Sequence, residues 1–227
     1  MAELRFKTIG IERSHELLGT YVSDFEKFGW PLYDQDPSPS TLVGVDLASP
    51  ALLSYPIKSK YLNEMGRQTP EGEKPNEYNM LFKAMAEFVN TESAEKFWEV
   101  PHSAIAALAN RESGATVEGP SGFAKLIACL DAAQPCTGIR SVAVTKILHR
   151  KRPDLVPIND SRVRDFYGVK NSYPPVFSAI HNDLQDPETF KMLKDLASPY
   201  TGLDDRPMSI LRALDIVIWM YMSKESV

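Results

Sequence analysis

Cysteine is nearly absent from this chain. Cys129 and Cys136 are its only two, too few for a disulfide framework, a four-cysteine iron–sulfur cluster or an all-cysteine zinc site, so reduced thiols are expected. Histidine is also sparse, with four residues. His102, His149 and His181 show no metal-ligand spacing and read as surface or packing residues, so neither a metal nor a cofactor is expected. No apolar run approaches the roughly 18 residues of a bilayer span, which predicts no membrane partner. Residues 1–5 lack the charged-then-apolar layout of a secretory signal, so a cytoplasmic protein is expected. Long alternation of apolar and polar residues is missing too, which leaves little room for β-sheet.

What is present is apolar sequence at helical spacing. The chain has 227 residues, 43% of them apolar and 24% charged, enough for a proper core in one all-α domain over residues 1–227. Leu17, Leu18, Tyr21, Val22, Phe25 and Phe28 form one stripe behind a Ser14 cap, and Tyr78, Leu81, Phe82, Met85, Phe88 and Val89 form a second. Shorter helices are predicted over 101–110, 121–130, 176–184 and 188–197. Residues 41–55 are read as a helix that Asp46 caps. Pro-, Gly- and Ser-rich connections fall at 29–40, 66–75, 113–120 and 198–207. A last helix over 208–222 is apolar nearly all round and is predicted to thread the centre of the molecule. No heptad seam demands a partner, which fits a monomer or weak homodimer.

The net charge of −5 argues against a nucleic-acid partner until its distribution is considered. Residues 138–170 hold eight cations (Arg140, Lys146, Arg150, Lys151, Arg152, Arg162, Arg164, Lys170) against Asp154, Asp160 and Asp165, a local +5 inside a chain whose remainder is −10. A basic island of this kind is an electrostatic footprint for a polyanion, or a solvated surface cluster.

The same segment has three chemical parts. Gly138 permits a sharp turn, so the amides of residues 139–142 open a helix with donors pointing outward, an arrangement suited to phosphate. Along that helix Ala143, Val144, Ile147 and Leu148 share one side. Val142, Thr145, Lys146, His149 and Arg150 share the other, which is expected to face solvent or ligand. Pro153 ends the helix, residues 155–157 return in extended form, and Asp160 arrives at the start of a helix through Val163, Phe166 and Tyr167. Asp160 is either a helix cap or a carboxylate brought back to a functional site, and the helix dipole would keep it ionised.

Residues 137–148 read Thr-Gly-Ile-Arg-Ser-Val-Ala-Val-Thr-Lys-Ile-Leu, and residues 152–163 read Arg-Pro-Asp-Leu-Val-Pro-Ile-Asn-Asp-Ser-Arg-Val. This resembles the helix-hairpin-helix and following aspartate of the helix-hairpin-helix DNA glycosylase superfamily, whose pattern runs L-P-G-V-G-x-x-T-A, an apolar helix, then P-x-x-x-x-V-D-T-H-V. The spacing from Gly138 to Asp160 matches endonuclease III without a gap. Together with the tail over 209–220, the stretch also resembles a family of uncharacterised bacterial proteins. The glycosylase resemblance implies a two-lobed all-α fold with a hairpin segment at 121–170, and DNA as the partner. It implies a monofunctional N-glycosylase that excises a damaged or modified base by hydrolysis.

Under that resemblance the hairpin residues Gly138, Ile139, Arg140, Ser141 and Val142, with Arg150 and Arg162, bind DNA. Asp160 steadies positive charge on the sugar as the flipped base departs. Two departures from the pattern are informative. Arg140 replaces the second hairpin glycine and offers a side-chain contact to phosphate in place of close backbone approach. The Schiff-base lysine of bifunctional members falls at Val142, which removes β-lyase chemistry by that route. Lys146, one turn later, is a catalytic-site candidate that approaches the sugar, binds a phosphate or pairs with Asp160 or Asp215; pairing is favoured, because attack requires a lysine of depressed pKa. Trp30, Tyr33 and Trp219 are the base-pocket candidates. Arg212 and Asp215, three apart on the apolar final helix, read as a buried pair or as a bond to another helix end. The competing readings are a non-catalytic nucleic-acid-binding protein, and a fold relative that binds a protein or small ligand.

Overall fold

The computed structural model describes residues 5–24, 32–36, 38–67, 69–70, 72–91, 94–112, 114–169 and 172–225. Among them the regular structure is helical. The α-helices are α1 (Ile11–Ser23), α2 (Gly44–Ala48), α3 (Ser59–Gly66), α4 (Glu77–Val89), α5 (His102–Ala107), α6 (Ser121–Ala132), α7 (Ser141–Lys151), α8 (Ser161–Tyr167), α9 (Tyr173–Gln185), α10 (Pro187–Ala197) and α11 (Ile210–Glu225). Short 3-10 turns cover Phe6–Ile9, Ser49–Leu53, Phe97–Glu99 and Leu108–Asn110. A lone antiparallel bridge joins Thr201 to Pro207, and no strand occurs among the described residues.

Helix starts explain most of the differences from the sequence reading. α1 begins three residues before Ser14, after Gly10 at φ +78°. Ser14 cannot cap it, because its own amide already bonds the Gly10 carbonyl at 3.0 Å and its hydroxyl bonds the same oxygen at 2.8 Å. Phe25 and Phe28 lie outside the described residues. Residues 41–55 divide into α2 and a 3-10 turn because Pro50 starts a new segment. Asp46 lies inside α2 and reaches back to the Val43 amide at 2.8 Å. Helix α3 has no counterpart among the predicted helices.

Helix α11 runs as expected through the core. Every residue from Leu211 to Ile218 is buried, Arg212 and Asp215 included, and the helix packs on α1, α8 and α10. Ser209 Oγ starts it by accepting the Arg212 amide at 3.0 Å. Each fully buried Leu, Ile or Val contributes about 1.5–3 kcal/mol relative to exposure, so this helix is a large share of the stability. A second packing centre joins α4 to α6, and Phe97 meets Phe123, Phe177 and His181 edge-on or tilted nearby. Helix α7 lies between these regions, against α4, α6 and the Ser49–Leu53 turn.

Candidate functional site

Helix α7 has no solvent face. All ten residues from Val142 to Lys151 are buried, so the side expected to meet solvent or ligand is internal instead. The cause is residues 32–36 and 38–54, which cross that side and present acceptors to each cation. Lys151 Nζ lies 2.9 Å from Asp36 Oδ1, 2.8 Å from Asp46 Oδ2 and 2.7 Å from the Ser38 carbonyl. Arg150 Nη1 lies 2.9 Å from Asp46 Oδ1, its Nε donates to the Tyr33 carbonyl at 2.7 Å, and Nη2 donates to the Gln35 carbonyl. Arg150 is therefore removed from the DNA-contact residues. A signal for this was present in the sequence: Asp34, Asp36 and Asp46 fall in a stretch from 28 to 57 that contains no cation.

One turn nearer the start of α7, Lys146 points into a cavity. Its Nζ lies 2.8 Å from Asp160 Oδ2 and donates to the Leu53 carbonyl at 2.9 Å. The pairing follows from how the return segment is pinned. Ser141 and Thr145, one helical turn apart, hold Asn159: Thr145 Oγ1 accepts its amide at 3.1 Å, and Ser141 Oγ accepts its side-chain Nδ2 at 2.8 Å. The next residue, Asp160, then lies over Lys146. Asp160 is also the cap of α8, its Oδ1 accepting the Arg162 amide at 3.0 Å. Burial raises the Asp160 carboxyl, but the Lys146 charge and hydrogen bond, the Arg162 amide and the Arg164 charge outweigh it and hold the group below the ordinary aspartate value. It is the ionised member of the site.

The cavity measures about 60 Å³. Leu52, Leu53, Tyr21, Ile216 and Trp219 supply apolar and aromatic wall, with Lys146, Asp160, Arg212 and Asp215 as its charged groups. Ser54, also on the wall, adopts a left-handed conformation at φ 58°. Of the two readings of Arg212 and Asp215, the structure has the buried pair, Arg212 Nη1 lying 2.6 Å from Asp215 Oδ2. Arg212 also holds Asp34 at 2.9 Å and the Tyr21 hydroxyl at 2.9 Å. Burial pushes the Asp215 carboxyl up to about 6; the Asp160 charge adds to that, and Arg212 and Lys146 oppose it.

The base-pocket candidates separate. Trp219 lines the cavity, with the Arg162 guanidinium 4.2 Å from its ring centroid and Arg162 Nη1 donating to its carbonyl at 3.2 Å. Arg162 thus packs on Trp219 and is not itself one of the cavity-lining residues. Tyr33 is 0% exposed, its hydroxyl donates to the Lys146 carbonyl at 2.6 Å, and its ring stacks on His149; it is a core residue with a satisfied hydroxyl, not a stacking platform. Trp30 lies outside the described residues. His149, fully buried, is driven down to about 3 by burial, against the opposing pull of the Val156 carbonyl 2.7 Å from Nδ1. Among the described residues no group of three His, Cys, Asp or Glu side chains is placed to hold a metal, and no helix is long and apolar enough to cross a membrane.

The hairpin end of α7 is different. Gly138 turns at φ +78° directly under the Tyr61 ring, where a Cβ would lie 2.1 Å from Cε2. Ile139 and Val142 face inward and are buried, while Gly138 and Arg140 are exposed. The Ile139 side chain is consequently unable to touch a ligand, and Val142 shows only a small part of its side chain to the neighbouring cleft. Arg140, Ser141 and Val142 border an open cleft of about 740 Å³, with Arg111, Arg164, Tyr55 and Tyr173 on its walls. Arg111 is committed to Asp131 at 2.6 Å, and Arg164 donates to Asn159. Arg140 makes no side-chain hydrogen bond or ion pair among the described residues. The first amides of α7 have no acceptor within the helix, so this end can receive an anion. The turn at 53–55 separates cleft from cavity, with the Tyr55 ring centroid 5.6 Å from Lys146 Nζ.

Residues 90–222 match the model of a family described as a family of unknown function, DUF6308. No curated protein and no solved structure matches the chain.

Proposed function

The chain belongs to the DUF6308 family, and we propose that it is a monofunctional DNA N-glycosylase-like hydrolase of the two-lobed helix-hairpin-helix type, working in the cytoplasm. One observation carries the reading: Asp160, the residue the resemblance assigns to catalysis, is an ionised carboxylate at a helix start, 2.8 Å from Lys146, on the wall of a cavity that Trp219 shares. Such an anion, fixed before reaction, lowers the energy of an oxocarbenium-like sugar by several kcal/mol, on the scale of other preorganised electrostatic groups. Lys146 keeps Asp160 charged in the absence of substrate, which is a pairing role and not a nucleophilic one. Water then supplies the oxygen that replaces the base. Arg140 and the first amides of α7 hold a phosphate in the adjoining cleft.

A second reading is favoured by the burial of Lys146, Arg150 and Lys151. With those cations internal, the basic surface suited to a long duplex shrinks, and a small anionic ligand in the cleft and cavity becomes the alternative. Asp160→Asn tests the first reading on duplexes carrying damaged or modified bases, with an abasic-site duplex in a salt series for binding. Base release is expected to fall by about 100-fold or more, with abasic-duplex affinity retained. Unchanged release, or no duplex binding at low salt, overturns the glycosylase reading, and in the second case leaves the small-ligand one.

A further inference from the structure

The cavity holds two carboxylates in unlike surroundings. Asp160 has both oxygens engaged, Oδ1 by the Arg162 amide at 3.0 Å and Oδ2 by Lys146 at 2.8 Å. Asp215 has one oxygen engaged, Oδ2, and its only partner there among the described residues, Arg212, is shared with Asp34 and Tyr21. Asp215 Oδ1 makes no hydrogen bond among the described residues. Groups from four directions act on Asp215: Tyr21 from α1, Tyr33 and, through Arg212, Asp34 from the 32–36 segment, Lys146 from α7 and Asp160 at the start of α8, together with Arg212 on its own helix.

We propose that Asp215 is the proton-carrying partner of Asp160, donating a proton to the departing base from its free Oδ1 and recovering one from the attacking water. The inference rests on the N-glycosylase reading above. The carbon–nitrogen bond breaks with its electron pair on nitrogen, and the Asp215 carboxyl proton goes to that nitrogen. Asp160 stays charged beside the sugar cation. A water oxygen bonds the sugar carbon and its proton returns to Asp215, so the sum is substrate plus water giving free base and sugar hydroxyl. A pair whose environments hold one carboxylate ionised and the other protonated is the arrangement acid–base chemistry requires. Burial and the Asp160 charge, which push Asp215 up to about 6, make the protonated form accessible near neutral pH.

Two measurements test this, one without any substrate. In protein labelled with carboxyl ¹³C-aspartate, the resonance absent from Asp215→Asn is expected to titrate near 6 and to move down in Asp160→Asn, which removes the like charge and frees Lys146 to oppose protonation. An Asp215 resonance that titrates in the ordinary aspartate range, or is unmoved by Asp160→Asn, overturns the pair. In the second measurement, kcat/KM for base release is expected to fall tenfold per pH unit above about 6, and Asp215→Asn to lower it and flatten that limb. If base is released and Asp215→Asn leaves the profile unchanged, Asp215 is not the proton carrier. If Asp215 titrates as stated and no duplex loses a base, the carboxylate pair stands and the glycosylase reading falls.

Discussion

The two ends of helix α7 carry the same kind of residue to opposite fates. At the C-terminal end Arg150 and Lys151 are taken up by Asp46 and Asp36, and at mid-helix Lys146 is taken up by Asp160. At the N-terminal end Arg140 stands exposed at the mouth of a cleft about 740 Å³ in volume. The difference teaches that a cluster of cations in sequence identifies charge but not surface. What decides is whether carboxylates elsewhere in the chain fold back onto it, and Asp36 and Asp46 do so for one end only.

The contrast is broken most severely by removing a cation from the closed end. Lys151 and its partners Asp36 and Asp46 are fully buried as side chains, so among the described residues Lys151→Met leaves Asp36 with no ion-pair partner, only the more distant Arg152 charge, and Asp46 with Arg150 alone. Stranding a buried charge costs about 3–5 kcal/mol. Urea denaturation is expected to show a midpoint lowered accordingly at unchanged slope, and adding Asp36→Asn to recover part of the loss. A shift below about 0.5 kcal/mol means that the pair is hydrated and this end of α7 is not closed.

A smaller effect is expected at the turn that opens the other end. Gly138→Ala must adopt φ +78° and displace the Tyr61 ring, which stacks on Tyr78 with centroids 5.9 Å apart. The strained backbone costs about 1–3 kcal/mol, read as a lower thermal midpoint, and Tyr61→Ala in the same chain removes the steric part only. If Gly138→Ala is neutral with Tyr61 in place, the hairpin does not have this tight turn.

How much of this was legible follows from where each signal lies along the chain. The stripe Tyr78, Leu81, Met85, Phe88 and Val89 specifies α4 because one face alone is apolar and the burial that fixes it is local to the helix. Asp160 as the cap of α8 was readable too, since Pro153 and the apolar 155–158 return leave few places for a new helix to start. The face of α7 was not, because its polarity reads as outward until distant carboxylates neutralise it. Tyr33 was read as a platform for the same reason: its acceptor, the Lys146 carbonyl, is 113 residues away in sequence. The Lys146–Asp160 contact was one of several pairings left open, and Asn159, which selects it by bonding Ser141 and Thr145, carried no signal of its own.

The finest test of the contrast lies at Arg140. Exposed, and with no side-chain hydrogen bond or ion pair among the described residues, it contributes nothing that folding requires, so Arg140→Ala is expected to change stability by less than about 0.5 kcal/mol. If the open end of α7 receives a phosphate, Arg140→Ala lowers duplex affinity at low salt and reduces the slope of log affinity against log salt by about 1, the signature of one lost phosphate contact. Arg150→Ala provides the opposite pattern: a destabilised fold, because Asp46 loses its 2.9 Å partner, with the salt slope of the remaining folded protein unchanged. Both substitutions remove one arginine, so net charge cannot account for a difference between them. A salt slope that both variants reduce equally would place Arg150 at the surface, whereas a slope that neither reduces would mean that the open end of α7 holds no phosphate.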